Sequence, residues 1–197
     1  MTKAPADWSS DPIDILLAHD AWATGRMLDI CAALGNEELD RVFELEGLPI
    51  GPGSLRATLV HIITRYWYWA DNLTGKAATK ATTPRPSLAG RPSVARMREG
   101  LESGMRALHD AVAAARRTGL ERPITASWRN APILTAGAAI VHVTTHSMHH
   151  RAQCQIMLRR LGRHDITAAS DCLSVAEWQS EVETGRRHPP PTPNPRS

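Results

Sequence analysis

Apolar side chains recur at the three- and four-residue spacing of an α-helix in four long stretches of the chain, and residues that start or stop helices separate those stretches. The first stretch carries Ile13, Leu16, Leu17, Met27, Leu28, Cys31 and Leu34 behind Asp11-Pro12, an acidic cap followed by proline at the first helical position, and predicts a helix running to Gly35. Asn36-Glu37-Glu38-Leu39 predicts a further short turn of helix, and GLPIGPG, residues 47–53, breaks the pattern. Ser54 then caps a second long helix to about Leu73, stopped near Gly75. Residues 74–92, rich in Thr, Pro, Ala and Gly, read as a long crossover loop. Ser93 opens a third helix to about Thr118, with Gly119 at its end. Over 120–132 the helical period fails, which predicts a loop with a little extended structure, and a fourth long helix follows from about Ile133 to Leu161, closed by Gly162. A short helix is expected around Ser174–Val182.

Four long helices, a long crossover and no clear strand predict an all-α fold, a four-helix bundle spanning residues 11–185. A loose N-terminal arm, 1–10, and a proline-rich disordered tail, 186–197, are expected to flank it. The chain of 197 residues suits one domain, and 42% of it is apolar, enough for a core. Trp, Tyr and Phe number 6, 2 and 1, so alanine and leucine must supply much of the packing, which favours helices over sheet; Trp67 and Trp69 read as core or interface residues.

The net charge of +3, from 23 basic and 20 acidic residues, does not call for a nucleic-acid partner. No apolar stretch is long enough to predict a membrane span, and MTKAPADWSSDP lacks the apolar core of a secretory signal. Cys31, Cys154 and Cys172 show no spacing pattern, which argues against a disulfide framework and for the reducing cytoplasm. A small-molecule substrate is the expected partner.

Candidate chemistry lies in the histidines. Four of them, His142, His146, His149 and His150, fall in VHVTTHSMHH, residues 141–150. On a helix they share one arc of ~100°, and the i, i+4 pairs among them are spaced so that two imidazoles can reach one ion. Spacing does not choose between His142 with His146, His146 with His149, and His146 with His150. The segment lacks the glutamate of the HExxH pattern, so metalloprotease chemistry is not expected. A third ligand is needed, and His61, set among Leu59, Val60, Ile62 and Ile63, is the best candidate.

Three segments resemble the DinB-like (DinB/YfiT-like) family of metal-dependent helical bundles. HDAWATGRMLDICAALGNEEL, residues 19–39, is similar to the family's opening helix; GSLRATLVHI, residues 53–62, to its turn into a Leu-x-His-Ile segment; and HSMHHRAQCQIMLRRLG, residues 146–162, to its His-x-x-His-His-Arg-Gly-Gln segment. The resemblance implies a four-helix bundle, often dimeric, with a metal held by His61, His146 and His150. It puts His149 outside the metal's immediate shell and matches Arg151 and Gln153 to the residues that follow the last histidine. The sequence departs from the family at Ala23 and Thr24 after Trp22, at Ala152 where glycine is usual, and at Arg65 in a region where many members carry an acid.

Three neutral imidazoles with an open coordination position describe a catalytic rather than a structural site. The ion is a divalent metal; imidazole suits zinc, nickel, manganese and iron, with zinc or nickel expected first, and the resemblance implies a transferase that activates a low-molecular-weight thiol for attack on a small electrophile. A metal-binding stress or accessory protein without turnover, and a metal-water hydrolase, are the alternatives. Arg65 and Tyr68 share the His61 face and are candidates for binding cofactor or substrate, Arg65 through a carboxylate and Tyr68 through a hydrogen bond. Gln153 is a candidate partner for a metal-binding histidine, Met157 a core residue, and Cys154 a buried, inert thiol.

Overall fold

The computed structural model describes residues 9–75, 85–126, 133–163 and 174–185. Most of the N-terminal arm, the middle of the crossover, Trp128 with its neighbours, Cys172 and the proline-rich tail lie outside the described residues.

The helices begin where side chains can accept from orphaned backbone N–H groups. Helix α1 (Pro12–Cys31) starts behind Asp11, whose Oδ1 accepts from the N–H of Ile13 at 2.8 Å. Ser54 opens α3 (Leu55–Thr74) by accepting from Ala57, and Ser93 opens α4 (Val94–Thr118) by accepting from Arg96. Gly75, at φ 65°, ends α3 in the left-handed conformation that glycine adopts without strain. The short α2 (Asn36–Asp40), the long α5 (Ala136–Arg160) and α6 (Val175–Thr184) complete the helices of the described residues.

Two boundaries differ from the sequence expectation. Helix α1 ends at Cys31, short of Gly35, because Ala33 and Leu34 donate back to Ile30 and Cys31 and tighten the chain into a turn. Helix α5 starts at Ala136, not Ile133: Ile133–Thr135 (β4) pairs antiparallel with Pro123–Thr125 (β3), and Thr135 serves as the cap, accepting from Ala138. The expected extended structure in 120–132 is therefore half of a small ladder. A second ladder, Glu44–Leu45 (β1) with Leu48–Pro49 (β2), turns through Glu46 and Gly47, both at positive φ, as a two-residue hairpin requires.

Helices α1, α4, α3 and α5 stand round a square in that order, with α3 packed against both α4 and α5. Arg56 at the start of α3 donates to the carbonyl of Pro92, just before α4, while Arg122 beyond α4 donates to the carbonyl of Leu73 near the end of α3. These two helices thus run parallel, and the chain between them must cross the length of the bundle. Their contact is tightened by glycine: a Cβ on Gly104 would stand 3.1 Å from Cβ of Tyr66, and one on Gly100 3.1 Å from Ile63. The core they share, with Leu17, Met27, Leu59, Ile62, Leu108 and Met157 fully buried, holds α3 and α5 rigidly face to face. Helix α6 closes over α1, burying Trp178 and accepting at Glu181 from the indole N–H of Trp22 at 3.1 Å. No helix among the described residues is long and apolar enough to cross a membrane.

Candidate metal centre

Where α3 and α5 face each other, three imidazoles converge. The Nε2 atom of His146 lies 3.2 Å from Nε2 of His61 and 3.2 Å from Nε2 of His150. Each of the three histidines offers one ring nitrogen, and those atoms all lie within 4.8 Å of one another. His146 and His150 are one turn apart on α5, and His61 reaches them from antiparallel α3, so the grouping rests on rigid elements rather than loops.

The other two histidines of the arc turn elsewhere. His142 meets the ring of Trp69 edge to face, with centroids 5.0 Å apart. His149 is exposed and stands 2.9 Å from Nε2 of Gln153, which donates to its Nε2. Trp69 and His61 on α3, with Gln153 on α5 itself, thus give the four rings of the arc different neighbours.

The convergence suits a cation better than it suits the histidines alone. A neutral imidazole has one N–H, so His146 can donate from Nε2 to one neighbour but not to both, leaving lone pairs opposed. Its Nδ1 is buried without a hydrogen-bond partner, so no side chain selects its tautomer. The 3.2 Å separations lie close to the ~3.3–3.4 Å edge of a tetrahedron with metal–nitrogen bonds of ~2.0–2.1 Å. His150 is better prepared: its Nδ1, 2.6 Å from Oε1 of Gln153, donates there and leaves the Nε2 lone pair facing the cluster.

Electrostatics keep these rings neutral. Burial, then the charge of Arg65 and the neighbouring His150, lowers the pKa of His61 from 6.5 to about 4. Burial and the surrounding His150, His61, His142 and Arg65 lower that of His146 to about 3. His150 is lowered chiefly by burial, against the opposing pull of its bond to Gln153. Neutral imidazole is the ligand form, so the donors are ready near neutral pH without losing a proton. The cluster can bind a divalent metal ion.

Arg65 and Tyr68 are both half-buried on α3, one and two turns beyond His61, and the guanidinium carbon of Arg65 sits 5.2 Å from the centre of the Tyr68 ring. Neither lines the cavity of about 410 Å³ that opens on the other side of His61 between Ser54, Ala57, Val60, Thr64 and Leu88. Arg56 at its wall is spent on Asp40, Asn36 and Pro92, so the cavity presents little uncompensated charge.

Sequence reasoning missed a buried polar network directly behind the centre. Arg151, next to His150, pairs with Asp20 of α1 and donates to Oγ1 of Thr24 at 3.0 Å, and that oxygen lies 3.0 Å from the hydroxyl of Tyr66. Burial pushes the Asp20 carboxyl up against the pull of Arg151. The one available signal was Arg151 itself, a charge on an otherwise uncharged helix face. Cys154 is buried, which pushes its thiol pKa well up, and Met157 lies in the core.

Fold and site together define a helical bundle with a three-histidine centre competent for metal binding. The chain belongs to the DinB family, whose model matches residues 10–185. None of the curated proteins compared matches it.

Proposed function

We propose that this protein is a metal-dependent transferase in which His61, His146 and His150 hold one divalent ion, zinc or nickel, and a low-molecular-weight thiol attacks a small electrophile. The observation that carries the reading is the meeting of three neutral imidazole nitrogens from two rigid helices, with no fourth protein ligand joining them among the described residues. A divalent ion held there would lower the pKa of a thiol and supply a thiolate nucleophile at neutral pH, the thiol proton passing to solvent and the new bond to sulfur replacing the electrophile's bond to its leaving group. His61, His146 and His150 bind and orient, Gln153 holds the tautomer of His150, and the half-buried Arg65, resting on Tyr68, binds an anionic group of the thiol or the substrate. The cavity beside His61 takes the uncharged body of the electrophile, consistent with its compensated walls.

The same reading includes a homodimer in the cytoplasm. Val141, Met148 and Ile156 of α5 are exposed apolar side chains, and Cys31 and Cys154 are free buried thiols rather than disulfides. Light scattering at micromolar concentration checks the oligomeric state. The test of the chemistry is cobalt substitution. Titrating physiological thiols into the cobalt protein is expected to give a near-ultraviolet sulfur-to-cobalt charge-transfer band. A cobalt-loaded protein that shows no such band yet hydrolyses test esters would replace the transferase with a metal-dependent hydrolase, and one that does neither is an accessory metal-binding protein.

A further inference from the structure

The geometry points to Gly51 as a positioning residue of the metal centre: by lacking a side chain, it lets the β2–α3 loop press on the Gln153 amide and so holds His150 in its ligand tautomer. The inference rests on the metal-binding reading above and deepens it.

Gln153 stands between three neighbours. Its Oε1 accepts from Nδ1 of His150 at 2.6 Å, and its Nε2 donates to His149 at 2.9 Å, so both ends of the amide are assigned. On the remaining side lies the backbone of Gly51. A Cβ there would fall 2.2 Å from Oε1 of Gln153 and 3.0 Å from its carboxamide carbon, far inside any tolerated contact. The clashing atoms are the far end of a flexible side chain, so a methyl group at position 51 would move the amide rather than the loop.

The loop is not free to yield. Ile50 is buried in the core and donates to the carbonyl of Phe43 at 2.9 Å, Phe43 donates to Gly53 at 2.8 Å, and Gly53 donates back to Ile50 at 3.0 Å. Gly51 sits inside this tied turn at φ 55°, a conformation that glycine takes without cost. The turn gives the wedge its stiffness, and the absent side chain gives Gln153 its seat. Displacing Gln153 removes the acceptor that keeps the His150 proton on Nδ1, and with it the preference for a lone pair on Nε2.

The fold supplies its own control. Gly47, in the neighbouring β1–β2 turn, has φ 78° and would meet nothing within 4 Å on gaining a Cβ. Gly47→Ala therefore carries the same backbone penalty without touching Gln153.

The experiment measures cobalt affinity of the full chain by competition with a chelator, reading the visible bands, in wild type, Gly51→Ala, Gly47→Ala, Gln153→Ala and the Gly51→Ala/Gln153→Ala double variant. Gly51→Ala is expected to weaken binding by ~10-fold or more, within the ~10–100-fold typical of losing a partner behind a metal ligand. Gly47→Ala should leave affinity unchanged, and the double variant should match Gln153→Ala alone, since both changes break one contact. Equal losses in the two glycine variants, or a full extra loss in the double variant, overturn the proposal. Long-range proton–nitrogen NMR of the metal-free chain gives an independent reading: the His150 proton should reside on Nδ1 in wild type and Gly47→Ala, and lose that preference in Gly51→Ala. Wild-type protein that takes up no cobalt overturns the metal reading; wild type that binds cobalt beside an unaltered Gly51→Ala overturns only the wedge.

Discussion

The Nε2 atoms of His61 and His146 lie 3.2 Å apart, although 85 positions separate them in the chain and they stand on different helices. Only the antiparallel packing of α3 on α5 brings them together, and the packing is set by apolar residues on either side of each histidine, not by the histidines. The metal centre is thus built on a core that stands without it, and removing a ligand should cost metal before it costs fold.

That separation gives the first prediction. His61→Ala, His146→Ala and His150→Ala should each lose most bound metal by elemental analysis, because two imidazoles bind poorly, while far-UV circular dichroism stays helical. His142→Ala and His149→Ala should keep it, since those rings face Trp69 and Gln153. Full occupancy in His61→Ala would remove α3 from the site.

The second concerns pH. In the unfolded chain these histidines titrate near 6.5, whereas in the folded protein His61 titrates at about 4 and His146 at about 3. Between those limits the unfolded state binds more protons, so these two groups make stability rise with pH. The metal-free protein should lose melting temperature as pH falls below ~6.5, and the loss should continue to about 4 for His61 and about 3 for His146. The double variant His61→Asn/His146→Asn should show a flatter dependence between pH 7 and 5, as read by calorimetry at each pH. An identical slope in the two proteins would mean that other groups govern the acid response.

The third concerns the ion pair behind the site. The side chains of Asp20 and Arg151 are only 2% and 5% exposed, so removing one leaves the other buried and unpaired. Asp20→Ala should lower stability by ~3–5 kcal/mol in denaturant titration. Asp20→Ala combined with Arg151→Met should recover much of that loss, because replacing both partners leaves no buried charge. A double variant as unstable as the single one would show that Arg151 matters through Thr24 instead.

The long helices were legible because their starts are written in single residues: Asp11 before Pro12, Ser54 and Ser93 each became the cap that the sequence suggested. Of the two ladders only the extended structure within 120–132 was legible, since strands of two or three residues are too short to show an alternating period, and GLPIGPG looked like an ordinary helix breaker. Helical spacing put four histidines on one arc but is blind to what lies across from them; Trp69, His61 and Gln153 divide that arc in the fold. The Asp20–Arg151 pair and the Gly51–Gln153 contact join distant parts of the chain through packing, which no local pattern encodes.

The last prediction concerns what the site attracts. A divalent ion among three neutral histidines leaves two positive charges uncompensated, and the half-buried Arg65 adds a third whose field is felt at His61, His146 and His150. No acidic residue among the described ones joins the histidine cluster. The ligand that completes such a site should bring negative charge beyond its sulfur. In the cobalt protein, the charge-transfer band should saturate at lower concentrations of mercaptoacetate than of cysteamine, the two differing in a carboxylate against an ammonium group. Arg65→Ala should narrow that preference, and Arg65→Glu should reverse it. Tyr68→Phe should keep it, because the ring face that seats the guanidinium survives the loss of the hydroxyl, whereas Tyr68→Ala should weaken it. Arg65→Ala should also raise the pKa of His61 in the metal-free protein, since a neighbouring positive charge is removed, and proton NMR of the His61 ring would report that directly. If the two thiols saturate alike and Arg65→Glu changes nothing, Arg65 does not face the bound ligand, and the site does not select its thiol by negative charge.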